Sequence, residues 1–266
     1  MTSHATLRRA RPALGTLVEM GARIDASGPE AAEAALAEAW TVLARVERAL
    51  SAFDRESDIG RFNAAPAGSD LSIAGDTATV LRAAAELRLA SDGLFDVSQG
   101  TGSQDWWLSE EGGGHRLHKQ TADVRLDLGG IGKGHAVDQA FEALASALAR
   151  ALAREAEVAC WVNAGGDLRV TGAELPVHLR DEQRGGARPW LVLREGALAT
   201  SHFGPGARAR LTGGPAELRA HVSVASSSCL WSDALTKVVA GTGRVDHPLL
   251  ARHGATAWLH PAGAGP

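Results

Sequence analysis

The chain has 266 residues, 45% hydrophobic and 22% charged, with a formal net charge of −4, the profile of a soluble globule able to bury a substantial core. That balance argues against a nucleic-acid partner, which would need a basic face to neutralise phosphates. Small ligands or proteins are the expected partners. Cys160 and Cys229 are the only cysteines, far apart and each in an apolar stretch, so they read as buried thiols rather than a disulfide framework or a zinc site.

In chain order, Arg8-Arg9 is followed by no apolar stretch of signal-peptide type, and no cysteine stands there for lipid attachment. With no apolar run of about 18 residues either, the chain is expected to be cytoplasmic, without membrane insertion. Gly15–Met20 reads as a strand. Ser27-Gly28-Pro29-Glu30 looks like a capped helix start, and helical periodicity then continues to Leu50. Ser51 through Asn63 reads as a polar loop with short helical potential. A second helix is expected from about Gly75 to Ala90, closed by Ser91-Asp92-Gly93.

Residues 103–123 read as an irregular surface excursion, with Trp106 and Trp107 followed by three consecutive glycines. Val124–Leu128 is β-like, and Ala136–Ala153 carries apolar residues at helical spacing. Short strands are expected at 157–163, 168–171, 176–180, 190–194 and 197–201. A capped helix near 231–240 and a strand around 255–260 follow. Because helices and strands interleave without a regular βαβ rhythm, the expected class is α+β with mixed or antiparallel sheets and packed helices. A single domain over 1–266 is expected, with two subdomains able to meet near residue 123.

Leu126-Asp127-Leu128-Gly129-Gly130-Ile131-Gly132-Lys133-Gly134 carries the strongest chemical signal, with glycines, a carboxylate and a lysine where a strand gives way to a helix. Backbone N–H groups and a helix amino end favour an anion at such a place. The spacing is neither a Walker A loop nor an intact Rossmann fingerprint. A glycine cluster alone also fits a plain tight turn.

Several further segments, taken together and in order, resemble the ApbE family, the FAD:protein FMN transferases. Leu14-Gly15-Thr16 resembles the family's Met-Gly-Thr, and Ser51 through Asn63 its Ser-x-Phe/Tyr...Ser-Glu-Ile...Asn segment. Gly93-Leu94-Phe95-Asp96-Val97-Ser98 resembles Gly-x-Phe-Asp-Pro/Val-Thr. Leu126–Asp138 is close to Leu-Asp-Leu-Gly-Gly-Ile-Ala-Lys-Gly-Tyr-Ala-Val-Asp, with His135 at the tyrosine. Asn163-Ala164-Gly165-Gly166-Asp167, Ala199-Thr200-Ser201 and Ser232-Asp233-Ala234-Leu235 also fit. The resemblance spans nearly the whole chain and implies a T-fold-like architecture.

It also implies an activity: with magnesium, such enzymes move the FMN half of FAD onto a serine or threonine hydroxyl of an acceptor flavoprotein and release AMP. Asp127 and Lys133 match positions that contact FAD, and Leu14, Phe53, Leu94, Phe95 and Asp96 match segments lining the flavin nucleotide. The carbonyl of Gly130 and the carboxylate of Asp233 match magnesium ligands. The family usually has threonine four residues after this aspartate; here Lys237 stands there, with Thr236 one place earlier. Both share a helix face with Asp233. An ammonium cannot ligate magnesium, but it can neutralise phosphate or pair with Asp233.

A second departure follows Ser201. The family's His-x-x-Asp-Pro-x-Thr-Gly has no aligned histidine, and the segment is shorter, keeping only Thr212-Gly213-Gly214-Pro215 after Arg208-Ala209-Arg210-Leu211. His202 and His221 flank it and offer imidazoles that titrate near neutral pH. Two other readings therefore stand beside transfer: an FAD-binding protein or slow FAD pyrophosphatase, and a protein whose glycine turns are purely structural.

Overall fold

In a computed structural model, described here for residues 5–24, 28–152, 158–181, 185–204 and 220–261, the chain is an α+β protein built on antiparallel sheets. It opens with β1 (Ala5–Ala13), β2 (Thr16–Ile24), α1 (Pro29–Leu50), α2 (Asp58–Ala64), β3 (Asp70–Ile73) and α3 (Gly75–Ala90). Then come β4 (Trp106–Glu111), β5 (Gly114–Lys119), α4 (Gly132–Leu152), β6 (Ala159–Ala164), β7 (Asp167–Thr171), β8 (Leu175–Arg180) and β9 (Ala187–Leu193). The chain closes with β10 (Gly196–Phe203), β11 (Ala220–Ser226), α5 (Cys229–Thr242), α6 (Pro248–Arg252) and β12 (Thr256–Pro261).

The main sheet has seven strands in the order β1-β2-β6-β7-β10-β11-β12. Helices α1, α4 and α5 cover one face. Hairpin β8–β9 packs on the other through Val177, Leu168 and Leu198, with Trp190 and Trp258 beside them. A small β3-β5-β4 sheet lies against α3. Strand alternation sends Ala197, Phe203, Val222 and Val224 to the helices and Leu198 and Leu168 away from them.

α1 forms because Pro29 opens it and because Ala32, Ala35, Leu36, Ala39, Trp40, Leu43, Val46 and Leu50 recur at three- and four-residue spacing on one buried stripe. Burying a side chain such as Leu43 there contributes roughly 2 kcal/mol. α4 packs along α1 and against α5. Gly134 permits this, since a Cβ at that position would collide with the carbonyl of Cys229. Asp138, one turn on, caps the start of α5. Its carboxylate accepts from the backbone N–H groups of Cys229 and Leu230, both at 2.9 Å, and from Ser228 Oγ at 2.8 Å. The amino end of α5 is thus fixed by a carboxylate from α4, which satisfies donors its own Ser228 leaves open.

Three expectations need correction. Residues 103–123 are not irregular: β4 and β5 form a hairpin closed by Gly112 and Gly113, both at positive φ, so the glycine run is a two-residue turn. Val124–Leu128 joins no sheet; Asn63 holds it instead, through Leu126 O at 2.9 Å and Leu126 N at 2.8 Å. α4 begins at Gly132 rather than Ala136, because packing outweighs the low helix propensity of its glycines. Arginine-rich β1 went unforeseen, an exposed edge strand without apolar alternation. Cys160 and Cys229 are buried free thiols.

Candidate functional site

Chain reversals converge at one end of the main sheet. The β1–β2 turn is Leu14-Gly15, both at positive φ, a conformation that strains leucine but not glycine. Glu47 from α1 holds it by accepting the Leu14 N–H at 2.6 Å. The β6–β7 turn is Gly165-Gly166, at φ 62° and 109°, and any Cβ on Gly165 would run into Thr16. The Gly166 carbonyl accepts from Thr200 N at 3.0 Å. Three segments far apart in sequence therefore touch here.

Behind these turns lies a buried group of four charges. The Lys133 ammonium pairs with Asp167 Oδ2, and the Lys237 ammonium with Asp233 Oδ1. Lys237 Nζ also donates to the Asp233 carbonyl at 3.0 Å and to Ser201 Oγ at 3.2 Å. Thr236 Oγ1 donates to the same carbonyl at 2.6 Å and lies 2.9 Å from Ser201 Oγ, whose hydroxyl can donate to it. Asp233 Oδ2 accepts from Gly134 N at 3.3 Å, which ties α5 to the first turn of α4. Gly130 packs on the Lys237 stem, where a Cβ would approach Lys237 Cε to 3.2 Å.

The two carboxyls differ in acidity. Burial and the charge of Asp233 push Asp167 up to about 7, against the pull of Lys133 and Lys237. Burial opposes ionisation at Asp233 as well, but Lys237 and Lys133 outweigh it and hold that carboxyl below its usual range. Lys133 is raised despite burial, by Asp167 first and Asp233 second. Asp233 thus has the Lys237 ammonium in contact and the field of Lys133 besides, while Asp167, 0% exposed and with Oδ1 buried without a hydrogen-bond partner, keeps its proton longer.

The structure brings Gly130, Lys133, Asp233, Thr236 and Lys237 together, with Phe95 beside Gly130. Leu14 stands at the same sheet end through its turn. Leu94 is half-buried and Phe95 buried. Asp96 accepts from Ser98 N at 2.9 Å and Ser98 Oγ at 2.8 Å, and exposed Asp127 accepts from Gly129 N at 2.8 Å and Gln99 Nε2 at 3.0 Å, so both shape turns. Phe53, on the α1–α2 loop, is 98% exposed. Asp167, Ser201 and Asp138 complete the site. Each stands within a segment that carries the family resemblance, which is its only signal in the sequence.

His202 and His221 are not brought there. They face one another across β10 and β11, rings 4.7 Å apart, on the sheet face opposite the one Ser201 shares with α5. His260 is next in register on β12. The Thr212–Pro215 remnant and Arg208–Leu211 lie outside the described residues. The resemblance implies magnesium beside Asp233. Magnesium takes about six oxygens in a tight octahedron. Here an ammonium already holds one Asp233 oxygen, the Asp233 carbonyl and Ser201, and the fourth-residue position supplies nitrogen. Among the described residues, no three His, Cys, Asp or Glu side chains gather as metal ligands. These residues do not fit a divalent ion.

An antiparallel sheet backed on one face by helices, with glycine turns, a capped helix pair and buried ion pairs at one end, defines an α+β class of protein. The ApbE family model matches residues 14–259, and the chain belongs to that family. No curated protein matches it. Its fold is similar to that of the Pseudomonas stutzeri flavinyl transferase ApbE in its apo form, at TM-score 0.72 and 23% identity over 96% of this chain and 91% of that one. It is likewise similar to the flavin transferase ApbE from Vibrio cholerae, at TM-score 0.74 and 18% identity over 97% and 94%. The ApbE protein of Thermotoga maritima gives TM-score 0.73 and 21% identity over 97% and 94%.

Proposed function

We propose that this ApbE family transferase moves FMN from FAD to a serine or threonine hydroxyl of an acceptor flavoprotein and releases AMP. The observation that carries this reading is the convergence of the Gly129–Gly134 turn with Lys133, Lys237 and Asp233 at one end of the sheet. In the reaction, the acceptor oxygen forms a bond to the FMN phosphorus, the P–O bond to AMP breaks, AMP leaves with that bond's electron pair, and the hydroxyl proton passes to solvent. Phosphoryl transfer of this kind passes through a loose transition state, so positioning and charge stabilisation carry most of the catalysis.

Most N–H groups of the Gly129–Gly134 turn are spent within the fold, on Asp127, the Leu128 carbonyl and Asp233, so side-chain charge carries the hold on the diphosphate. Lys133 and Lys237 supply fixed positive charge there. Leu14, Leu94, Phe95 and exposed Phe53 offer apolar cover for the flavin rings, and Asp96 and Asp127 keep the adjoining turns in shape. Incubating the protein with FAD and a serine- or threonine-bearing acceptor should leave a covalently fluorescent acceptor band on a denaturing gel. No band with any acceptor would end this reading.

The position of His202 and His221 on the far face favours one rival, an FAD-binding protein that hydrolyses the cofactor slowly. Release of FMN and AMP without an acceptor, and no covalent band with one, would select it.

A further inference from the structure

The chain has only three lysines, and each is placed inward. Lys119 is fully buried and ties down the Phe62 and Asn63 carbonyls at 3.0 and 3.3 Å, a structural task at the end of α2. Lys133 pairs with Asp167. Lys237 stands on α5 one turn beyond Asp233, the favourable order for an acid and a base at this spacing. Every hydrogen of its ammonium is taken: by the Asp233 carboxylate, by the Asp233 carbonyl and by Ser201. The charge is fixed, desolvated and walled by Gly130, which lacks the side chain that would crowd it.

A divalent ion at Asp233 would have to displace this ammonium or sit beside it. Displacement would leave a buried cation without partners. Coexistence would set like charges a few ångströms apart in a poorly screened site. Neither is compatible with the donors present.

We propose that Lys237 is a covalently tethered replacement for a divalent cation, so that the protein binds the diphosphate of FAD without a metal ion. The inference rests on the FAD-site reading given above, and the test separates the two. The full-length protein is melted with FAD in EDTA and with FAD in excess magnesium. Equal rises in Tm are expected. A rise confined to magnesium would overturn the inference and leave the FAD reading standing; no rise in either buffer would overturn both.

Manganese offers a direct check. With FAD present, the free-ion resonance of Mn2+ should lose no more intensity when wild-type protein is added than FAD alone removes. A protein-dependent loss would overturn the inference. Lys237→Thr, which restores an oxygen, should turn the FAD-induced Tm rise into one that needs magnesium. Should that variant fail to fold, Lys237→Arg keeps the charge and should retain the metal-independent rise; its becoming magnesium-dependent would count against the inference.

Discussion

The two faces of the main sheet bury polar groups of opposite kinds. The helical face holds carboxylates and ammoniums in direct pairs, Asp167 with Lys133 and Asp233 with Lys237, while Asp138 caps α5. The other face holds neutral ring and hydroxyl groups: Thr200 and Ser223 are 2.9 Å apart, Ser223 and His260 3.1 Å, and the Trp190 ring sits edge-on to His260 at 4.7 Å. Two cavities of about 410 and 450 Å³ also open away from the charged group, lined by residues such as Arg8, Trp161 and Pro176 in one and Trp190 and Val192 in the other. Neither cavity marks the candidate site. Desolvated charge and touching glycine turns locate it.

The comparison breaks most decisively at Asp233. Replacing it by alanine leaves Lys237 buried without its counter-ion and removes a partner of Lys133, so about 3–5 kcal/mol of stability should be lost. Denaturant unfolding measures that loss, and FMN transfer should vanish with it. An unchanged unfolding midpoint would mean that the four charges do not form one group. Gly134→Ala is a purely steric version. Alanine favours helices by about 1 kcal/mol over glycine, yet its methyl would collide with the Cys229 carbonyl, and the net effect should be destabilisation of roughly 2 kcal/mol. A stabilised variant would show that α4 and α5 can separate at no cost.

pH should pull the two faces in opposite directions. Asp167 titrates near 7 in the folded protein and near 3.8 in the unfolded chain, so between these values the folded state holds a proton that the unfolded state has lost. Its contribution is complete below about pH 4 and is lost as pH rises through 7, at most about 4 kcal/mol. On the other face, burial first and the charges of His221 and Arg188 next hold His260 below the usual histidine value. Its contribution is present above about pH 6.5 and is lost as pH falls. Stability curves of Asp167→Asn and His260→Gln, each subtracted from the wild type, should therefore slope oppositely. Slopes of equal sign would dissolve the distinction.

The sequence made the helices legible because their buried stripes repeat at helical spacing, as in α1 and α4. It also offered Lys133 and Asp233 through ordered motifs. It did not show β4–β5, whose exposed face and glycine turn mimic a loop, nor the capping of α5 by Asp138, which requires two helices to meet. The fate of Lys237 was hidden for a similar reason. Residue spacing puts an ammonium one turn from a carboxylate, but only the closeness of Ser201 and Gly130 shows that it is held inward. Which face of a strand a residue occupies depends on register, and register puts His202 and His221 on the face away from α5.

The smallest effect, and the sharpest for the comparison, belongs to those histidines. Ser201 points toward α5, as its contacts with Thr236 and Lys237 show, so the next residue, His202, points the other way. His221 is its register partner and shares that face. Between that face and the Asp233–Lys237 pair lies the backbone of β10, which β11 holds through His202 and β7 as far as Ala199. His202→Ala and His221→Ala should therefore leave FMN transfer and the FAD-induced Tm rise within about twofold of the wild type, while losing the roughly 1 kcal/mol that an aromatic cross-strand pair contributes. Initial rates of acceptor labelling, measured for each variant at one FAD concentration, decide the matter. A hundredfold fall in rate with an unchanged melting temperature would mean that acceptor and cofactor meet on the imidazole side, and the charged face would then serve stability alone.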